Sequence, residues 1–392
     1  MKLHIAAGAI TLPLLLLFII SACSTDPEPI RIGATMSLTG SLSTQGVAAH
    51  NGYRLCEEDL NNAGGLLDRP VEFIIYDDES SSERAVELYS QMITEEGVHA
   101  VMGPYGSTLT EAVAPVTEQH RMVHVSPLAA TTSIWEQGRE YLFMVLPPAE
   151  LFLAGVIDMA DSNGLTRVAV IQQNALFPRA AGSGAAELAE ERGMNVVINE
   201  TYETGTEDFS ELIERMRDEE VEVVAMAASA LDDFIKVMRQ MNELDVNVKM
   251  FGTSGAVNQF RDELGELAEY AYGLSAWEPV LDNPGIEDFT ESYREKFGLE
   301  PSFHAAGAYG SCELFAEAVR QAGSMNQELI RNKLLSLEMR TVFSEYAVDE
   351  RGYQTANTGL IIQWQDGEKV VVWPDEVATA EARYPTPEWA ER

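Results

Sequence analysis

Apolar positions along this chain fall into two rhythms. Short β-branched runs are followed by longer segments in which apolar residues return every three or four places, the spacing of one helix face. Strands are predicted at 30–36, 71–76, 98–102 and 122–125, with helices at about 45–62, 82–95 and from 108 onward. Gly64-Gly65 stops the first of these helices. After Pro147-Pro148 the rhythm restarts, with helices at 150–162, 179–192, 208–219 and 232–243 and strands at 167–171, 195–201, 221–226 and 248–251. Such alternation predicts parallel sheets covered by helices on both faces, here as two open α/β lobes in tandem. The last third is less regular, with helices expected at 286–297, 303–322 and 326–335 and strands at 358–364 and 368–373. That is too little for a third α/β domain. These pieces are expected to complete the two lobes, so the chain must cross between them more than once.

The N-terminus stands apart from this pattern. Lys2 precedes an apolar run from Ile5 to Ile20, and Ile20-Ser21-Ala22-Cys23 closes it. The run is short for a membrane span and placed as a secretory signal is. Aliphatic, small, small, Cys is the pattern of a bacterial lipobox, in which the Cys becomes the lipidated first residue. Residues 1–22 are therefore read as a signal peptide, Cys23 as the lipidation site and 23–29 as a tether. An exported protein held to the membrane by its lipid alone is expected. Cys56 and Cys312 fall on apolar helix positions. Two buried free thiols are the plainer expectation, although export also permits a disulfide.

Composition narrows the partners. The 392 residues carry 26 Lys and Arg against 63 Asp and Glu, a net charge of −37. A nucleic-acid partner is excluded by that balance, since binding phosphate needs cationic surface. The acid is spread over helix faces rather than gathered in a tail, so it reads as solvated surface. A Lys-poor, acid-rich surface also fits a saline habitat.

Chemical signatures are absent where an enzyme would show them. The sequence has no GxSxG elbow, no GxxxxGK[ST] loop, no HExxH and no CxxC. His120 and His124 have a helical ligand spacing but fall about a strand, where residues four apart lie about 13 Å from each other, so no metal is expected there. Asp77-Asp78 and Asp232-Asp233 sit at helix starts, where acidic residues are favoured by the helix dipole alone. No catalytic residue, cofactor or metal is assigned.

What remains is a ligand cleft. Open α/β sheets bind ligands beyond the carboxyl ends of their strands, and helix N-termini there favour anions. Two loops fit: Gly103-Pro104-Tyr105-Gly106-Ser107-Thr108, and Ser126-Pro127-Leu128-Ala129-Ala130-Thr131-Thr132. Hydroxyl and N–H groups from both are suited to one carboxylate. The same residues also suit ordinary turns and caps.

On these loops, together with Thr39-Gly40, the run Gly52–Asn61 leading to Gly64-Gly65, Tyr76-Asp77-Asp78, Asp208-Phe209-Ser210 and Tyr309–Gly323, the chain resembles substrate-binding proteins of ABC importers. The type is the leucine/isoleucine/valine-binding one, and the likeness runs over nearly all of the sequence after the signal. It implies a type I periplasmic binding protein fold: two Rossmann-like lobes, three hinge crossings and a cleft that closes on its ligand. The lobes would be 30–147 with 276–345, and 148–275 with 346–392. The implied function is capture of a small carboxylate, foremost a branched-chain amino acid, for an ABC permease and ATPase, by a monomeric protein. Alternatives are a ligand-sensing receptor module, or a binder of aromatic or keto carboxylates or of amides. A secreted hydrolase is the remote one.

The resemblance also assigns residues. Ser107 would give its hydroxyl to the ligand carboxylate, and Ala129, Ala130 and Thr131 the second loop. One extra residue, Leu128, intervenes there, and Thr132 replaces Thr131 if the gap falls differently. Gln45 stands at an often aromatic position, and Phe177 before Pro178 where Tyr before Gly is usual. Another aromatic position falls near Ser229 or Ala230. Ser254 occupies the place of the acidic residue that pairs an amino acid's ammonium. Asp232, Asp233 or Glu278 would have to replace it, or the ligand lacks an ammonium. Tyr105 and Trp277 either wall the cleft or pack beside it.

Overall fold

Two parallel sheets are built by the alternating elements. The structure, a computed structural model, describes residues 27–392; the signal run and Cys23 lie outside them. The first sheet takes β1 (Ile30–Met36), β2 (Val71–Asp77), β3 (Ala100–Met102), β4 (His124–Ser126) and β5 (Leu142–Met144) in the order β2-β1-β3-β4-β5, all parallel. Its connecting helices are α1 (Ser43–Asn62), α2 (Ser82–Thr94) and α3 (Ser107–Gln119). After a crossing, α4 (Ala154–Ser162) leads into β6 (Arg167–Gln173), α5 (Leu176–Glu191), β7 (Asn195–Tyr202), α6 (Ser210–Asp218), β8 (Val223–Ala227), α7 (Leu231–Glu243), β9 (Met250–Thr253), α8 (Asn258–Leu264) and β10 (Tyr272–Ser275). The chain returns to the first lobe for α9 (Ile286–Phe297), α10 (Phe303–Ala322), α11 (Gln327–Ser336) and the small pair β11 (Met339–Arg340) and β12 (Glu345–Tyr346). It ends in the hairpin β13 (Leu360–Gln365) and β14 (Glu368–Trp373), which extends the second sheet to β14-β13-β10-β9-β8-β6-β7.

The parallel core of the second sheet, β7-β6-β8-β9-β10, repeats the order of the first. In both, strand order reverses between the first and third strands of the lobe, which opens a crevice at that point. The side-chain alternation of a strand explains the two-sided burial. On β6, Val168 and Val170 join one core cluster, and Ala169 and Ile171 the other. All four are 0% exposed, as expected of a strand covered on both faces.

Several expectations need correcting. β5 and β10 were not foreseen, because each is a stub of three or four residues without a readable period. The crossing expected at 345/346 comes later: Met144 N still donates to Gly352 O, so residues up to that point run along the edge of the first sheet. Cys56 and Cys312 are not free thiols. They form a disulfide with Cα atoms 6.4 Å apart, joining α1 to α10 across 256 residues of chain. The helices can meet so closely because Gly52, one turn earlier on α1, lies against the carbonyl of Ala305; a Cβ there would come within 2.2 Å of it. Trp277 packs the second crossing, with its indole donating to Val342 O at 2.9 Å. The tail docks on the second lobe through Trp389 Nε1 to Val246 O.

Candidate functional site

The two crevices face each other and enclose one cavity of about 70 Å³. The first lobe supplies Gln45 from the start of α1, Tyr105 to Leu109 from the turn into α3, and Phe303 and His304 from the start of α10. The second lobe supplies Phe177 from α5, Ala228, Ser229 and Leu231 from the turn between β8 and α7, and Ser254 and Gly255 after β9. Every one of these segments follows a strand end or begins a helix, which is why loops far apart in sequence meet here.

The β3–α3 turn is the best defined part. Gly106 takes φ +86°, which suits glycine, and caps α3 without a side-chain acceptor. The first N–H groups of α3 therefore have no capping partner and carry the positive end of the helix dipole. Ser107 Oγ accepts from Ala130 N at 3.1 Å and Thr131 N at 3.2 Å, locking the two predicted loops together. Leu128, the intervening residue, pairs with Tyr105 through a parallel bridge and accepts from Gly106 N at 3.2 Å. Beneath the turn, the His124 imidazole bonds Gly103 O and approaches Thr117 Oγ1 at 3.3 Å. Burial pushes that imidazole down to about 4, so it braces the turn as a neutral group.

Six of the eight predicted site residues line the cavity: Gln45, Tyr105, Ser107, Ala130, Phe177 and Ser254. Ala129 and Thr131 do not. Ala129 is packed in the core, and Thr131 turns its N–H toward Ser107. Thr132 is not its replacement, because its hydroxyl donates to Glu150 at 2.6 Å. The lobes touch at Ser229 O, which accepts long contacts from Gln45 Nε2 at 3.4 Å and Tyr105 OH at 3.5 Å.

None of the candidate acids lines the cavity. Asp233 accepts from Tyr202 OH at 2.9 Å and Gln173 Nε2 at 3.2 Å, and burial raises its pKa. Gln173 in turn receives Ser229 N at 3.1 Å, so Asp233 supports the cavity wall from behind. Glu278 is paired with Lys369 at 2.7 Å, with both side chains largely buried. Asp232 is exposed. Asp77 and Asp78 brace the loop after β1: Asp77 accepts from Leu38 N and Thr39 Oγ1, Asp78 from Thr35 and Ser37. Ser254 Oγ spans Ala228 N and O at 3.2 and 3.3 Å.

Sequence reasoning missed Leu146, Phe152, Phe234, Phe303 and His304. Phe152 meets Phe177 edge to face at 5.0 Å. His304 packs on Phe303 and Tyr105, and burial pushes its imidazole down to about 3, so it is neutral at ordinary pH. Among the sequence expectations, only the helix over 303–322 reached Phe303 and His304. Among the described residues no cluster of His, Cys, Asp and Glu is placed to hold a metal ion.

A pair of α/β lobes with matching strand order, joined by three crossings and meeting over a cavity at both switch points, is the architecture of a two-lobe solute binder. Residues 29–369 match the periplasmic binding protein family, and the chain belongs to it. It is 23% identical over 378 residues to a Leu/Ile/Val-binding protein homologue of Brucella melitensis, covering 91% of this chain and 94% of the relative. The crystal structure of the leucine-binding protein LivK of Thermotoga maritima superposes with TM-score 0.81 at 21% identity, covering 87% of this chain and 97% of that one. A solute-binding protein of an ABC transporter from Rhodopseudomonas palustris, solved with 3,4-dihydroxybenzoic acid, gives TM-score 0.78 at 18% identity, covering 93% and 99%. The type I periplasmic binding fold expected from the sequence is thus the fold observed.

Proposed function

We propose that this protein is the solute-binding component of an ABC importer and closes its two lobes around a small carboxylate with an apolar body. One observation carries the reading. The uncapped start of α3 and the Ser107 hydroxyl face a largely apolar cavity walled by both lobes. Helix-start N–H groups with a hydroxyl beside them form a carboxylate site, and the leucines and phenylalanines around them suit a hydrocarbon body. The names of the relatives support the importer role and a ligand of about the size of a branched-chain amino acid. The enclosed space, about 70 Å³, is roughly half of the ~150 Å³ apolar cavity that takes up benzene. Such a ligand therefore enters with the lobes parted, and closure presents it to the permease. Export by residues 1–22, lipidation at Cys23 and a monomeric soluble body complete the proposal; the Cys56–Cys312 disulfide supports an oxidising, extracytoplasmic compartment.

The test is a thermal-shift screen of residues 24–392 against aliphatic and aromatic carboxylates. A ligand that binds the folded form alone raises Tm by mass action. In Ser107→Ala, Ala130 N and Thr131 N lose their acceptor and the ligand loses the hydroxyl, so about 1–3 kcal/mol of binding should go. That is a rise in Kd of about fivefold to 150-fold by calorimetry. Unchanged affinity removes Ser107 from the site.

A further inference from the structure

The cavity holds no charged side chain, and this bears on what its ligand carries besides a carboxylate. None of the residues lining it is Asp, Glu, Lys or Arg. Its two titratable groups, His304 and Tyr105, are both neutral at ordinary pH, because burial lowers the imidazole and raises the phenol. A carboxylate is served in such a place by helix-start N–H groups. An ammonium is not. It brings a full positive charge and three N–H donors, and burying it is costly without a charged partner or several good acceptors.

The acceptors can be counted. Ser229 O already takes Gln45 and Tyr105 across the lobe boundary. Ser254 Oγ is committed to the Ala228 backbone. Gln45 is 5% exposed and its Oε1 is buried without a hydrogen-bond partner. With the hydroxyls of Thr108 and Ser229 and one ring nitrogen of neutral His304, every acceptor left for the three N–H donors is uncharged, and none offsets the full positive charge. The second-lobe wall adds the start of α7, whose cap, Ala230, has no side-chain acceptor; its positive dipole end lies beside Ala228, Ser229 and Leu231. The acids of its first turn do not line the cavity: Asp233 is held by Tyr202 and Gln173, and Asp232 is exposed.

We infer that the ligand is a small carboxylate without an ammonium, an aliphatic or aromatic acid whose second polar group, where it has one, is neutral and is received by Gln45. This rests on the carboxylate reading of the cleft and decides between acids and amino acids within it. The geometry gives the amine-free acid everything an amino acid would find here and spares it the unmatched charge.

The experiment uses residues 24–392 and matched pairs: 4-methylpentanoate and 4-methyl-2-oxopentanoate against L-leucine, and 3-phenylpropanoate and benzoate against L-phenylalanine. The amine-free acid of at least one set should raise Tm and bind at least tenfold more tightly than its amino acid by calorimetry. An amino acid that binds as tightly as its partners, or more tightly, overturns the inference and leaves the carboxylate reading standing. No response from any of these acids overturns both. Ser254→Asp places a carboxylate on the cavity wall and should narrow the acid-to-amino-acid ratio at least tenfold, with circular dichroism checking the fold. An unchanged ratio in a folded variant counts against the inference.

Discussion

The two lobes share a strand order and present corresponding turns to the cavity, yet the chemistry of those turns differs. The first lobe contributes donors, the uncapped start of α3 and the Ser107 hydroxyl, with the free Gln45 Oε1 as an acceptor beside them. The second contributes mostly walls: Phe177, Leu231, Phe234 and the backbone around Ser229. Topology therefore sets where a ligand sits, and the few side chains at the strand ends set what it is. The lobes also differ in how they are held. The first has α1 stapled to α10 by Cys56–Cys312, while the second has no disulfide among its described residues. Both stapled helices point their N-termini at the cavity, through Gln45 and His304. The staple itself lies two to three turns behind, roughly 12–16 Å along the helix axes at 1.5 Å per residue.

This contrast can be broken at three depths. The largest effect is expected from Cys56→Ser with Cys312→Ser. Removing a cross-link of this kind costs about 2–4 kcal/mol. Urea unfolding should show the loss in the first lobe, with ligand affinity within about twofold of the parent. An equal loss of affinity would mean that the staple shapes the site.

Next comes a pH effect confined to the same lobe. Glu313 on α10 accepts from Val342 N at 2.9 Å, and burial pushes its carboxyl from 4.5 up to about 7. The folded state thus holds this proton more tightly than the unfolded one. Its contribution is fully present below about pH 4.5 and is lost as pH rises through about 7. Glu313→Gln should remove that decline, worth about 1–3 kcal/mol between pH 5 and pH 8 in denaturant titrations. A variant that declines as steeply as the parent would exclude Glu313 as the cause. The smallest effect is expected from Tyr105→Phe. Its contact with Ser229 O is 3.5 Å long, at the outer limit of a hydrogen bond, so ligand affinity should change by less than about threefold. A tenfold change would make that contact a true latch between lobes.

Much of this was legible along the chain. Strong periodic segments such as 43–62 and 303–322 appear as helices almost where expected, because an amphipathic face is a local signal. The glycine and hydroxyl residues at 103–108 marked a strand-end turn for the same reason. The short strands Leu142–Met144 and Tyr272–Ser275 were not legible, since a fully buried stub has no polar face to create a period. Of the residues expected at the site, Ser107 and Ala130 line the cavity and Thr131 does not, whereas His304 arrived there from a helix nearly two hundred residues further on.

The sequence by itself determined the alternation of strand and helix and the turns that carry hydroxyl and N–H donors. Each of these is written in a few neighbouring residues. Tertiary structure alone decided that Cys56 meets Cys312, that the chain crosses back after Gly352, and that Asp233 and Glu278 spend their charge on Tyr202, Gln173 and Lys369 rather than in the cavity. The physical reason is the same in each case. A disulfide, an ion pair or a charge-free pocket is a relation between segments far apart in the chain, and only folding sets the distance between them.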